Sequence, residues 1–319
     1  MGYNVSDYNI KNNNIDDILS ELKELDFVFI ALHGAYGEDG KIQRELKYHN
    51  IKFNGSDYFT SSVCFDKIET KRGSIKIPGN EKNQRRVLHS YADNFITPPC
   101  FNLSKQNYQR YKDYEREDRL EGLSLTEHLL TYLKLEGVSI NKFVIKPNTQ
   151  GSSVGFSLVE DHNQMINAIE EAFNHESYAD SPLRPQSILI EEYIDGKEIT
   201  VPILNDIALP IIEIKPKSNI YDYNSKYKGG ASEYICPADL DESLSKKICE
   251  AALIVHKYYG CKVYSRIDYR LDKKNKFWFL EVNTLPGMTE TSLFPMAAKA
   301  SGLSFEDLID KIIKLSLEK

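Results

Sequence analysis

Three observations predict an α/β (α+β) protein. Short apolar runs of strand length alternate with longer stretches in which apolar residues recur at helical spacing. A Gly-rich loop closes the first apolar run, and a strand pair joined by a polar turn occupies the last third of the chain. Ile15, Ile18, Leu19, Leu22 and Leu25 place an amphipathic helix at about 15–25. Residues 27–32 are continuously apolar, as in a parallel strand covered on both faces. The loop from His33 to Gly40 then lies at the C-terminal end of that strand, where open α/β sheets bind ligands. Residues 72–86 mix Gly73, Pro78 and Gly79 with Lys and Arg, which suggests an exposed loop or insertion. Residues 105–121 are charged and Tyr-rich, and both signs alternate as on a solvated face. Ser124 and Glu127 form a capping box ahead of Leu129, Leu130 and Leu133.

Farther along, 143–146 and 154–159 read as strands around a Gly/Ser loop, followed by a helix at about 161–174. Strands at 187–190 and 198–204 flank a turn at Asp195-Gly196. A helix at about 241–259 presents Leu244, Ile248, Ala251, Ala252 and Val255 inward. Strands at 263–271 and 277–282 follow, and a last helix begins at Ser304.

With 319 residues the chain is long enough for more than one packed unit, since single cores stop growing at roughly 250–300 residues. Lys plus Arg number 40 and Asp plus Glu 47, so the net charge of -7 excludes the overall positive field that nucleic-acid binding uses. Five scattered cysteines without a CxxC pair argue against a zinc ribbon or a disulfide framework. No run approaches the roughly 20 apolar residues of a membrane span, and the N-terminus has neither a basic nor an apolar signal region. A cytoplasmic protein with no nucleic-acid or membrane partner is expected.

The candidate chemistry lies mostly in the second half. Along a strand i and i+2 share a face, so Tyr264, Arg266, Asp268 and Arg270 align, as do Phe277, Phe279, Glu281 and Asn283. One pairing brings Asp268, Glu281 and Asn283 together as hard oxygen ligands, which suit magnesium beside a phosphate. Arg266 beside them could hold a phosphate or a developing oxyanion. Cross-strand charge pairing on a wet face accounts for the same residues. The loop from Pro286 to Leu293, with Gly287 and Ser292, favours a site. Lys146 opens a loop running through Gly151, Ser152 and Ser153 to Gly155, whose N–H and O–H groups could cradle phosphate oxygens. It is not a Walker A loop, and an ordinary hairpin turn reads equally well. Glu191, Glu192, Tyr193 and Ile194, with Glu198 beyond the turn, could read adenine and ribose, although such carboxylates are more often solvated. The stretch from Tyr221 to Gly230, including Lys226 and Tyr227, has the composition of a lid. His33 has no nucleophile partner in sequence, so substrate orientation is its expected role.

In order these segments read LHGAYGEDG, FDKIETK, IKPNTQGSSVG, LIEEYIDGKE, YDYNSKY, SRIDYR and LEVNTLPGMTETSL. The series closely resembles the D-alanine–D-alanine ligase family of the ATP-grasp superfamily. The resemblance implies a three-lobed ATP-grasp fold: an N-terminal α/β substrate lobe at 1–61, a central lobe at 62–190 with an insertion near 72–140, and a catalytic lobe at 191–319. It implies ATP-dependent joining of two D-alanines through an acyl phosphate, for peptidoglycan synthesis. Lys67 and Lys146 would contact the ATP phosphates, Ser152 and Ser153 would close over them, and Lys226 would add a further contact. Glu191 through Ile194 would hold adenine and Glu198 the ribose. Asp268, Glu281 and Asn283 would bind two magnesium ions, with manganese able to substitute. Arg266 and the backbone near Gly287 would stabilise the oxyanion, Tyr227 would link the lid to the site, His33 would lie near the first substrate, and Ser292 and Leu293 near the second. ATP and D-alanine are the implied small-molecule partners, and a homodimer is compatible with the family. The family also carries a first strand, Gly-rich turn and helix with a glutamate for the first D-alanine's ammonium. Nothing before His33 matches that unit, and 2–6 resemble the second strand, so an incomplete lobe with an open sheet edge is expected. Two alternatives stand beside this reading: an ATP-binding homologue without ligase activity, and an ATP-grasp ligase for another acceptor.

Overall fold

The computed structural model describes residues 2–10, 13–76, 85–87, 95–151, 154–175, 186–216 and 232–318. The helical period at 15–25 becomes a 3-10 turn, Asp16–Ile18, running into α1, Leu19–Leu22, with Ile15 and Leu22 buried. Then come α2 (Lys41–Tyr48), α3 (Tyr58–Phe65) and α4 (Lys67–Arg72), the last two N-capped by the side chains of Asp57 and Asp66. Neither N-terminal strand of the sequence reading forms. Residues 2–10 have no regular secondary structure, and 27–32 make a single parallel bridge, Val28 to Phe53. A strand exists only by pairing, and among the described residues neither segment has the neighbour that would complete a ladder.

The short antiparallel pair β1 (Ser74–Lys76) and β2 (Arg85–Val87) follows. Next come β3 (Cys100–Ser104), α5 (Lys105–Arg116), α6 (Leu125–Leu135), β4 (Phe143–Pro147), β5 (Ser157–Val159), α7 (Met165–Asn174) and β6 (Ser187–Glu192). They form an antiparallel sheet of order β3-β6-β4-β5. Residues 100–135 pack within this unit, with β3 on the edge of its sheet. Tyr108 and Tyr111 of the charged α5, and Leu129 and Leu133 of α6, enter the same apolar cluster as Ile145, Phe173 and Ile188. The Ser124/Glu127 capping box starts α6 as expected.

At Asp195-Gly196 the chain leaves that sheet for another. The second sheet holds β7 (Gly196–Leu204), β8 (Ile207–Ala208), β9 (Ile212–Pro216), β10 (Ser232–Ile235), β11 (Tyr264–Asp272) and β12 (Phe277–Asn283), in the order β10-β9-β7-β11-β12 with β8 on β7. The helix α8 (Glu242–Tyr259) covers one face and buries Ile248, Ala252 and Val255 against Ile199, Ile267 and Phe279. On a separate cluster, α9 (Leu293–Ala300) and α10 (Phe305–Leu317) pack with Ile15, Ile42 and Leu46 of the N-terminal segment, around Tyr264 and Phe294. No described helix is long and apolar enough to cross a membrane.

The β11–β12 register departs from strict alternation. Asp268 pairs with Glu281 and Tyr269 with Phe279, so Leu280 is an extra residue in a β-bulge. Phe277 and Phe279 consequently face the core, while Glu281 and Asn283 face a cleft. The sequence reading, which put all four on one face, is corrected here: a one-residue bulge inverts the alternation beyond it.

Candidate active site

The cleft contains a cavity of about 460 Å³ and, beside it, one of about 130 Å³; Lys67, Gln150, Gly151, Glu198, Asp268 and Glu281 line both. Its floor is the β11–β12 ladder. Asp268 stands directly across from Glu281, and Arg266 across from Asn283. Arg266 grips Asp268 with two donors, Nε to Oδ1 at 3.0 Å and Nη2 to Oδ2 at 2.8 Å, and the Thr200 hydroxyl donates to Oδ1 as well. Asn283 Oδ1 accepts from Leu285 N at 2.9 Å. The Lys67 ammonium lies 3.3 Å from Glu281 and donates to Gln150 O at 2.7 Å. Burial raises the Glu281 carboxyl, but Lys67, Lys146 and Arg266 outweigh it and hold the group below the ordinary carboxylate range. The donor set is thus two carboxyl groups and an amide, all offering oxygen. It fits a hard divalent cation, although the described residues hold no group of three or more His, Cys, Asp or Glu suited to a metal.

The smaller cavity sits where the chain passes between sheets. Lys146, Glu191, Glu192, Tyr193, Ile194 and Glu198 all line it. Glu191 is 2% exposed and lies between the ammonium groups of Lys146 and Lys71. Burial pushes its carboxyl up, yet the two lysines overcome this and bring it down to about 2. Arg270 fastens the crossing segment, donating to Ile194 O at 3.0 Å and to Gly196 O at 2.8 Å, with Glu198 3.8 Å away.

At the far end of the larger cavity, Gly287 approaches its neighbours so closely that an added Cβ would lie 2.9 Å from Ser292 Oγ and 3.3 Å from His33 Cε1. The structure thereby gathers His33, Gly287 and Ser292, and Leu293 opens α9 beside them. Ser152, Ser153, Lys226 and Tyr227 lie outside the described residues.

A family model described as D-ala D-ala ligase N-terminus matches residues 4–56, and one described as D-ala D-ala ligase C-terminus matches 127–314. The D-alanine–D-alanine ligase of Carboxydothermus hydrogenoformans is 37% identical over 321 residues, covering 99% of this chain and 89% of its own. The chain belongs to the D-alanine–D-alanine ligase family. The ligase of Buchnera aphidicola subsp. Schizaphis graminum is 39% identical over 293 residues, 91% of this chain and 82% of its own. Among solved structures, the Bacillus anthracis D-alanine–D-alanine ligase complexed with ATP superposes with a TM-score of 0.70 at 31% identity, covering 96% of this chain and 84% of that one. The VanG D-Ala:D-Ser ligase of Enterococcus faecalis gives 0.69 at 28% identity, covering 92% and 73%.

The structure also brings to the cleft or its walls residues to which the sequence reading gave no role. Glu38, in the first Gly-rich loop, lines the larger cavity 4.0 Å from His33 Nδ1. Burial raises its carboxyl, against a Gly34 backbone group that lowers it, and Glu281 adds to the rise. Its signal was its place in a loop already marked as ligand-binding. Thr200 gave no signal of its own, and Arg270 stood on the Asp268 face without a role, because their contacts come from ladder register with β11 and from the crossing segment. Lys71 was visible as the second lysine of FDKIETK, one helical turn after Lys67.

Proposed function

We propose that this protein is an ATP-dependent ligase joining two D-alanines into D-alanyl-D-alanine for peptidoglycan precursor synthesis. The observation that carries the reading is the cross-strand pair Asp268–Glu281, which with Asn283 opens onto a cleft that also presents Lys67. A carboxylate is a poor electrophile. Transfer of the ATP γ-phosphoryl group to a carboxylate oxygen of the first D-alanine forms a P–O bond, releases ADP and supplies a leaving group. The amine of the second D-alanine then attacks the acyl carbon, the tetrahedral oxyanion collapses, phosphate departs and the nitrogen loses a proton.

In this assignment Lys67 and Lys146 meet the triphosphate, and Glu192 to Ile194 with Glu198 surround the nucleoside end, supported by their place in the smaller cavity. Glu191 belongs to the same wall and orients Lys146. Asp268, Glu281 and Asn283 would hold magnesium or manganese ions, whose charge offsets that of the phosphates. Arg266 and the Gly287 N–H are the oxyanion donors. His33 orients the first D-alanine, while Ser292 and Leu293 face the second. By family resemblance Ser152, Ser153 and Lys226 are assigned to the phosphates and Tyr227 to the lid; all four lie outside the described residues. A cytoplasmic location fits the acidic chain, and a homodimer fits the family.

Phosphate release measured with ATP and magnesium, with and without D-alanine, tests the reading. Turnover that requires D-alanine is expected. ATP binding without turnover would mark a non-catalytic homologue, and turnover with another acceptor alone would mark a different ligase.

A further inference from the structure

Lys71 lines neither cavity, yet its side chain is 2% exposed and its ammonium lies 2.9 Å from Glu191 Oε2. The contact is a close, buried ion pair. The same ammonium donates to Phe279 O at 3.3 Å, on the core side of the bulge. Glu191 passes the contact on: its Oε1 accepts from Lys146, which borders the smaller cavity. The helix that carries Lys71 is itself anchored. Asp66 caps it, Asn148 bonds Asp66 and Ile68, and the hydroxyls of Tyr258 and Tyr259 donate to Gly73 O and Thr70 O at its C-terminal end. A buried lysine is costly to keep charged, and one placed behind a binding wall needs a reason to be there.

We propose that Lys71 is a positioning residue for the nucleotide pocket: it pins the Glu191 carboxylate between two cations and so sets where Lys146 points. It touches no substrate. The role rests on the nucleotide site of the proposed function, and requires only that ATP binds there. Because α4 meets β6 through Glu191 and β12 through Phe279, the same ammonium ties the two walls of the cleft together. Removing it leaves Glu191 with Lys146 as its one paired cation among the described residues, and the pair draws together at the expense of the phosphates.

Calorimetric titration of ATP with magnesium into wild type, K71M, K71R, E191Q and the K71M/E191Q double variant tests this, alongside steady-state kinetics with D-alanine. K71M should weaken ATP binding about tenfold, raise the KM for ATP in parallel and leave kcat at saturating ATP within about threefold; K71R should restore most of the affinity. The double variant should bind ATP no more weakly than E191Q, because Lys71 acts through that carboxylate. A merely structural role would lower thermal stability and active fraction without moving the affinity of the folded protein. Should K71M fail to fold, the double variant, which removes both buried charges together, carries the comparison. ATP affinity of K71M within twofold of wild type, or multiplying losses in the double variant, overturns the assignment. Wild type that binds ATP but does not turn over D-alanine refutes the ligase reading alone; wild type that binds no ATP refutes both.

Discussion

His256 sits on α8 with 1% of its surface exposed, Nδ1 2.7 Å from Ser265 Oγ and Nε2 3.3 Å from Asp206 Oδ1. The set looks like a nucleophile relay, but neither Ser265 nor His256 lines a cavity, so its consequence is for stability. Burial lowers the imidazole to about 4; Asp206 opposes the shift, and Lys257 and Lys262 reinforce it. The folded state therefore binds fewer protons than the unfolded chain between about pH 6.5 and pH 4, and stability falls as pH drops through that window. With about 6.5 unfolded and about 4 folded, going from about pH 7 to about pH 5 costs about 2 kcal/mol through this group alone. That is a large share of a typical total of about 5–15 kcal/mol. Urea unfolding at the two pH values, for wild type and His256→Gln, isolates the effect. The wild type should lose about 2 kcal/mol more than the variant on acidification. Equal losses in the two proteins would refute the argument. Ser265 precedes Arg266 on β11, so activity should fall over the same window as the strand loosens.

Other perturbations address the cleft directly. Glu281→Gln should abolish D-alanine-dependent phosphate release while circular dichroism and thermal melting stay near wild type, because one charge is lost from an intact strand; near-normal rates would mean the oxygen cluster is not the metal site. Gly196 has φ +148 and an added Cβ would lie 2.0 Å from Leu271 O, so Gly196→Ala should destabilise by about 3 kcal/mol or more in chemical unfolding. Gly287→Ala should raise the KM for D-alanine more than that for ATP in steady-state kinetics, since its methyl would crowd Ser292 and His33 and not the nucleoside end.

What could be read from the sequence was what rests on local chemistry. The capping box at Ser124, the inward stripe of α8 and the extents of the two last strands needed only their own residues, and each stands where its pattern placed it, the faces of the last strand beyond the bulge excepted. Non-local pairing was out of reach. Residues 27–32 have the composition of a buried strand but, among the described residues, form a bridge only with Phe53, and the turn at Asp195-Gly196 joins two different sheets. The Tyr-rich α5 looked like surface because its many charges hide Tyr108 and Tyr111, whose rings supply the buried side. In the site, Asp268 lies across from Glu281 and both line the larger cavity with Asn283, while His33 comes close to Gly287. Lys71 and Arg270 were visible as residues but not in their roles, because their partners, Glu191 and the 194–196 carbonyls, become neighbours only after folding.

The bulge at Leu280 makes the final hairpin sensitive to length more than to composition. On a strand with unbroken alternation, aromatic anchors and acidic ligands two residues apart would have to share an environment, either both dry or both wet. The surplus residue lets rings at 277 and 279 plug the hydrophobic side while 281 and 283 stay in contact with solvent and solute. Deleting it would turn the acidic end of the strand towards the interior, whereas exchanging Leu280 for another side chain would leave every later residue aimed as it is.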